Sequence, residues 1–273
     1  GAHEGVWECP DLVALMLNGR ERWVLLVSVT LGGPQKGSAT QYFVGDFDGQ
    51  VFTAEHTDTR WLDWGPDNYA GVTWSNTPGR SVFMGWMSNW LYAAKLPTSP
   101  WRGAMTLPRE LQLREVNGCA WLCVPAIDEV DQAFRMSTGV QGGAMPDLLQ
   151  AFENAQGRCR LTLRAQASQA WSLQLVNACG DVWRLSYQPQ ERQFSVDRTM
   201  SGESTFHPDF AACHRVPRIG QSPEIDVQIY LDASCLETIA DGGLTSISSL
   251  VFPNQPWTTW VTQGEALVSL QTL

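Results

Sequence analysis

Glu8 stands between an indole and a thiol, in the segment Val6-Trp7-Glu8-Cys9-Pro10-Asp11-Leu12. Neighbours that keep a carboxyl group partly out of water raise its pKa, because desolvation penalises the charged form. A glutamate titrating near about 6 can serve as a general acid at neutral pH. The plainer reading of so short a segment is a surface glutamate beside a buried tryptophan. Asp11 either caps or braces the same segment. Little else in the chain offers chemistry. Its four histidines, His3, His56, His207 and His214, are dispersed, and no pair has metal-ligand spacing. Gly32-Gly33-Pro34 reads as a turn, without the strand, Gly-rich loop and helix of a phosphate cradle.

Trp7-Glu8-Cys9-Pro10-Asp11-Leu12 resembles the general-acid motif of glycoside hydrolase family 32, the levanases, inulinases and invertases that cleave β-fructofuranosides. Further stretches resemble the family in the same order. They include Gly45-Asp46-Phe47-Asp48-Gly49, Asp63-Trp64-Gly65-Pro66-Asp67-Asn68-Tyr69-Ala70, Gly85-Trp86-Met87-Ser88-Asn89-Trp90 and Pro97-Thr98-Ser99-Pro100-Trp101-Arg102. Leu107-Pro108-Arg109-Glu110-Leu111, Val196-Asp197-Arg198-Thr199, Phe206-His207-Pro208-Asp209-Phe210 and Tyr230-Leu231-Asp232 extend it over nearly the whole chain. The family's nucleophile lies in an Asn-Asp-Pro-Asn-Gly type motif, and a second aspartate in an Arg-Asp-Pro motif stabilises the transition state. Neither motif occurs in these residues. The resemblance therefore implies the C-terminal part of such an enzyme, with Glu8 as acid/base, the nucleophile elsewhere, and no activity from this part alone.

What the resemblance implies for the site is specific. Asp63 is expected to grip sugar hydroxyls at the pocket rim, with Tyr69 near Glu8 and Trp90 lining the fructosyl pocket. Trp86 would pack within the sheet. Asp67, Cys9 and, with Arg102, Trp101 join the substrate-binding set. Asp63 and Asp67 also read as two solvated loop acids, and Trp90 also reads as a core residue. Asp46 and Asp48 read as turn residues, and Asp232 and Glu237 as supports of the fold. No cofactor is implied.

The elements that must position these residues are strands. Short segments rich in Val, Trp, Phe and Tyr, with turns such as Asn18-Gly19 and Asp48-Gly49, predict eight strands before residue 125. They are Leu12–Leu17, Trp23–Val29, Thr40–Asp46, Val51–Glu55, Gly71–Trp74, Val82–Met87, Thr106–Arg114 and Cys119–Val124. Two groups of four fit propeller blades; a sandwich gives a similar pattern, and the resemblance favours the last two blades of a five-bladed propeller. Ile127, Val130 and Phe134, with Asp128, Glu129 and Asp131 near the start, predict a short helix in Pro125–Met136. Residues 137–148 read as a loop, and Asp147–Gln156 as a further helical turn. Eight more alternating segments predict an antiparallel β-sandwich. The expected organisation is an all-β protein with a partial propeller at 1–124, a linker at 125–148 and a sandwich at 149–273.

Composition sets the class. Hydrophobic residues make up 44% and charged residues 17% of 273, as in a folded globular protein. A net charge of −10 without a basic run argues against nucleic acid and against an anionic membrane surface. No apolar run reaches the length of a membrane-spanning helix. Seven scattered cysteines read mostly as buried thiols. The expected partner is a fructan or sucrose. Two blades also leave open edges, through which the chain is expected to associate with itself or with an N-terminal part. A second reading is a non-catalytic fructan-binding module.

Overall fold

In the computed structural model, residues 1–134, 145–156 and 158–272 are described, apart from the side chains of 145 and 146. Trp7–Leu17, Arg20–Val29, Ala39–Phe47 and Phe52–Ala54 hydrogen-bond in sequence order as one antiparallel blade, and Arg60–Trp61 adds to Ala39–Phe47. Asn18 and Gly19 close its first hairpin, both with positive φ. That twist matches the strands on either side.

The second blade is less regular than its sequence suggested. Val82–Met87 runs at its centre, with Tyr69–Thr73 on one side. On the other side the two-residue strands Ala104–Met105 and Arg109–Glu110 both pair with it. The expected single strand Thr106–Arg114 is thus broken, around Pro108, which has no N–H to give a ladder. Gln112–Val116 instead forms a separate hairpin with Cys119–Cys123. Its Ala120 and Leu122 bury against Leu15, Val24, Tyr42 and Val44 of the first blade.

The sandwich has two five-stranded antiparallel sheets. One orders Thr245–Leu250, Cys235–Ala240, Glu224–Asp232, Cys159–Gln166 and Ala266–Thr272. The other orders Cys213–Pro217, Gln193–Met200, Val182–Gln188, Trp171–Val176 and Thr259–Gln263. Ten strands replace the expected eight. Cys213–Pro217 lacks the expected apolar alternation because one of its two inward residues is His214. Thr259–Gln263 is a short edge strand with a single buried residue, Trp260. The core between the sheets holds Trp183, Tyr187, Phe194 and Trp257.

Helices are few. Asp128–Ala133 lies in the expected linker, with three acids in its first turn. Met145–Asn154 takes up most of the helical turn expected at Asp147–Gln156 and begins within the segment read as a loop, whose residues 137–144 lie outside the described residues. Its Leu148 and Phe152 enter the sandwich core, and Phe152 meets Trp260 edge-on. All seven cysteines are free, but only Cys123 and Cys159 are buried and Cys235 partly so. Cys9, Cys119, Cys179 and Cys213 are exposed, contrary to the expectation of mostly buried thiols.

Candidate active site

Glu8 is held by two irregular strands. In Trp7–Leu17 the register with Arg20–Val29 shifts between Glu8 and Asp11, so Cys9 and Pro10 bulge out of the ladder. Cys9 takes φ 48°, uncommon for a residue with a side chain. In Tyr69–Thr73 the register with Val82–Met87 shifts directly after Tyr69, and Ala70 also takes φ 48°. Bulges re-aim the side chains beside them. These two bring the Tyr69 hydroxyl onto Glu8 Oε2, to which it donates a hydrogen bond. Asp11 braces the same pair of strands, with Oδ2 accepting from the Thr73 N–H at 2.9 Å and its hydroxyl at 2.6 Å.

Tyr69 is 2% exposed. Burial, and then the Glu8 carboxylate, hold its phenol well above the ordinary range, while a contact from Trp90 works the other way. It therefore stays a proton donor to Glu8 at any working pH. The expected shielding of Glu8 by its sequence neighbours is not found. Trp7 is 43% exposed and stacks on His3, and Cys9 is exposed. The residue against Glu8 comes from the other blade.

Trp86 lies between Tyr69 and Trp90, with ring centroids 6.3 Å and 5.1 Å away. Trp86 is half-buried, whereas Trp90 is 59% exposed and free of any core. The Trp90 backbone N–H donates to Ser38 Oγ of the first blade at 3.1 Å. Trp101 is exposed, in a loop that comes against Trp86 at Gly103. Asp48 closes a turn by accepting from the Gln50 and Val51 N–H groups. Asp46 instead pairs with Arg20 and Arg22 on the blade surface.

Asp63 and Asp67 are neither rim residues nor solvated acids. They are 2% and 0% exposed, at the seam between blade and sandwich. Segment 63–67 runs along Thr245–Leu250, the outermost strand of one sandwich sheet. The Trp64 and Asp67 N–H groups donate to the Ser246 and Ser248 carbonyls, at 2.8 Å and 3.2 Å. In return, the Ser248 and Leu250 N–H groups donate to the carboxylates of Asp63 and Asp67, each at 2.9 Å. The two aspartates therefore finish the hydrogen bonding of a sheet edge that would otherwise bury unpaired donors. Gly65 permits the approach, since a Cβ there would lie 2.2 Å from the Ser248 carbonyl oxygen.

Each carboxylate also meets a buried arginine. Arg109 donates to Asp63 at 2.8 Å and to Glu237 at 2.5 Å. Arg198 donates to Asp67 at 2.7 Å and to the Tyr92 hydroxyl at 3.0 Å, and Tyr92 donates to Asp67 at 2.6 Å. Burial pushes the Glu237 carboxyl up, against the opposing charge of Arg109. Arg109, Arg198 and Tyr92 were not among the expected site residues. Two of them lie in stretches singled out for their wording, but Asp67 and Arg198 are 131 residues apart and no local spacing joins them.

Family models match both halves of the chain: the glycosyl hydrolases family 32 N-terminal domain over residues 1–121 and the family 32 C-terminal domain over 131–272. The levanase of Bacillus subtilis is 31% identical over 270 residues, covering 93% of this chain and 40% of the levanase. An extracellular exo-inulinase of Aspergillus niger is 32% identical, covering 93% of this chain and 51% of that one. The crystal structure of exo-inulinase from Aspergillus awamori superposes with TM-score 0.86 at 27% identity, over 99% of this chain and 57% of that one. The chain thus spans about half, or less, of the length of these relatives. Its all-β fold is that of propeller blades followed by a β-sandwich.

Proposed function

The chain belongs to glycoside hydrolase family 32, and on that footing we propose that it supplies the acid/base side of a β-fructofuranoside-cleaving site, with Glu8 as the proton donor. The observation that carries this reading is the Tyr69 hydroxyl on Glu8 Oε2, beside the partly open Trp86 and Trp90. Tyr69 occupies one carboxyl oxygen and leaves the other to carry the proton. In the first step that proton passes to the glycosidic oxygen as the bond to the anomeric carbon breaks. A second carboxylate attacks that carbon and forms a fructosyl-enzyme ester. In the second step Glu8 takes a proton from water as the water oxygen attacks the anomeric carbon, the ester bond breaks to return the second carboxylate, and fructose leaves with retained configuration.

Retention requires a carboxyl separation of about 5–5.5 Å. Asp11, Asp63 and Asp67 are each engaged, with Thr73, Arg109 and Arg198, and the motif that carries the nucleophile in the family does not occur in these residues. We therefore place the nucleophile outside these 273 residues and expect the chain alone to release no fructose. Levan, inulin and sucrose are all candidate substrates, by analogy with the levanase and exo-inulinase relatives.

The test is a chimera in which this chain replaces the matched region of the Bacillus subtilis levanase. Fructose release from levan, inulin and sucrose is measured for the chimera and for the chain alone. Glu8→Gln in the chimera should lower turnover at least ~10²-fold, the scale of general acid–base catalysis. Wild-type turnover by the Gln variant overturns the assignment. Glu8-dependent release by the chain alone overturns the external nucleophile. Fructan binding untouched by Glu8→Ala, without any turnover, would favour a binding module.

A further inference from the structure

We propose that Arg198, a residue of the sandwich, is a positioning residue for the site in the blades, acting through Asp67 and Tyr92 on both Tyr69 and Trp90. This inference rests on the acid/base reading of Glu8.

The connection is short and buried. Asp67 is two residues before Tyr69, the group that holds Glu8. Its Oδ2 accepts from Arg198 and from the Leu250 N–H, and its Oδ1 from Tyr92. Tyr92 is two residues after Trp90. Between them, Asn89 Nδ2 donates to the Pro66 carbonyl at 2.8 Å and Asn89 Oδ1 accepts from the Leu91 N–H at 3.0 Å. One guanidinium therefore ties together the ends of two segments, one carrying Tyr69 and the other Trp90. It is itself fixed from the sandwich side by the Phe210 carbonyl at 2.7 Å and the Phe210 ring at 3.9 Å.

Arg198, Asp67 and Tyr92 are all buried, and each makes charge-assisted or hydroxyl hydrogen bonds to the others. Such a closed network has one good geometry, and loosening it shifts whatever is attached to it. Arg218 with Asp241 is a similar buried pair at 2.7 Å, and it touches neither of the two segments. It serves as the control.

The experiment labels the chain with 3-fluorotyrosine and 5-fluorotryptophan and follows fluorine NMR. The five tyrosines give few lines, and Tyr69→Phe and Trp90→Phe assign the two of interest. Glu8→Gln should move the Tyr69 line, which calibrates the contact. Tyr92→Phe, which removes only a hydroxyl, and Arg198→Lys should both move the Tyr69 line toward its Glu8→Gln position and shift or broaden the Trp90 line. Arg218→Lys should leave both lines in place. Native line positions in folded Tyr92→Phe overturn the proposal, as does an equal response in Arg218→Lys. Tyr92→Phe decides if Arg198→Lys fails to fold. The levanase chimera separates the two readings: a coupling that persists while hydrolysis ignores Glu8 sinks the acid/base assignment and keeps the mechanical link.

Discussion

Tryptophans of the sandwich core and tryptophans at the blade surface meet different surroundings. Trp183 and Trp257 are 0% and 1% exposed, between two sheets that close on each other. Trp90, Trp101, Trp74 and Trp7 are 59%, 49%, 44% and 43% exposed. Trp61 of the first blade is buried too, but these four indoles are surface where the sandwich pair is packing. The surrounding strands differ in the same way. Glu224–Asp232 alternates outward and buried residues over most of its length, whereas Trp7–Leu17 has only Leu15 fully buried, and Met16, Val72 and Met105 stand more than half exposed. The sandwich is shaped by apolar burial, which is tolerant of detail. Around Glu8 little apolar burial is available, and position is set by bulges and by a polar seam borrowed from the sandwich.

The largest effect should come from the closed side. Among the described residues the Trp183 and Trp257 indole N–H groups have no acceptor, so their contribution is packing. Trp183→Ala should destabilise the sandwich by roughly 3–5 kcal/mol, the range for emptying a large buried aromatic site. Urea unfolding measures it. A loss below about 1 kcal/mol would mean that the two sheets collapse into the cavity, and the contrast between a rigid sandwich and an open blade edge would weaken.

How much could be read from the sequence divides along the same line. Val182–Gln188, Gln193–Met200 and most of Glu224–Asp232 are legible in the sequence because inward residues alternate, whereas in Cys213–Pro217 a histidine takes one of the inward places. In the blades, the Glu8 segment stood out by its wording, but the reason for its placement did not. The φ values of Cys9 and Ala70 follow from pairing across the sheet and leave no mark in residue type. Asp63 and Asp67 invited a sugar-binding role because two acids around Trp64-Gly65-Pro66 look like a solvent loop. Only the fold brings Arg109, Arg198 and the Thr245–Leu250 edge against them.

An intermediate effect tests the seam through pH. His214 is buried in Cys213–Pro217, with no partner for Nε2 among the described residues, while Nδ1 lies 3.3 Å from Gln35 Oε1 of the first blade. Burial, and behind it the charge of Arg198, pushes its pKa down to about 3, against an ordinary 6.5. The unfolded chain therefore takes up a proton below about 6.5 that the folded chain refuses until about 3. Stability from this group is complete above that upper value and is lost as pH falls through the window. Between pH 7 and pH 4 the loss should be on the order of 3 kcal/mol. His214→Asn should flatten that part of the profile, read by urea unfolding at the two pH values. An equal drop in native and variant chains would show that His214 becomes protonated without unfolding, and that this stretch of the seam is open to water.

The smallest stability change, and the sharpest contrast, should come from Trp90. Its ring leans on Trp86 at 5.1 Å but is otherwise turned to solvent. Removing it from a folded chain empties no core, so Trp90→Ala should change stability by no more than about 0.5 kcal/mol, as for an ordinary surface site. In the levanase chimera the same change should weaken fructoside binding by roughly 1–3 kcal/mol, the scale of lost apolar contact and aromatic stacking. Trp171→Ala, a buried residue of the sandwich, should do the reverse: lower the melting temperature and leave the affinity of the folded fraction alone. Calorimetric titration and thermal melts on both variants give all four numbers. If Trp90→Ala melts early with unchanged affinity, the exposed indole is a strut that steadies the Trp86–Tyr69 contact. The sugar-facing surface must then be sought elsewhere on the blades, with the exposed Trp101 next in line.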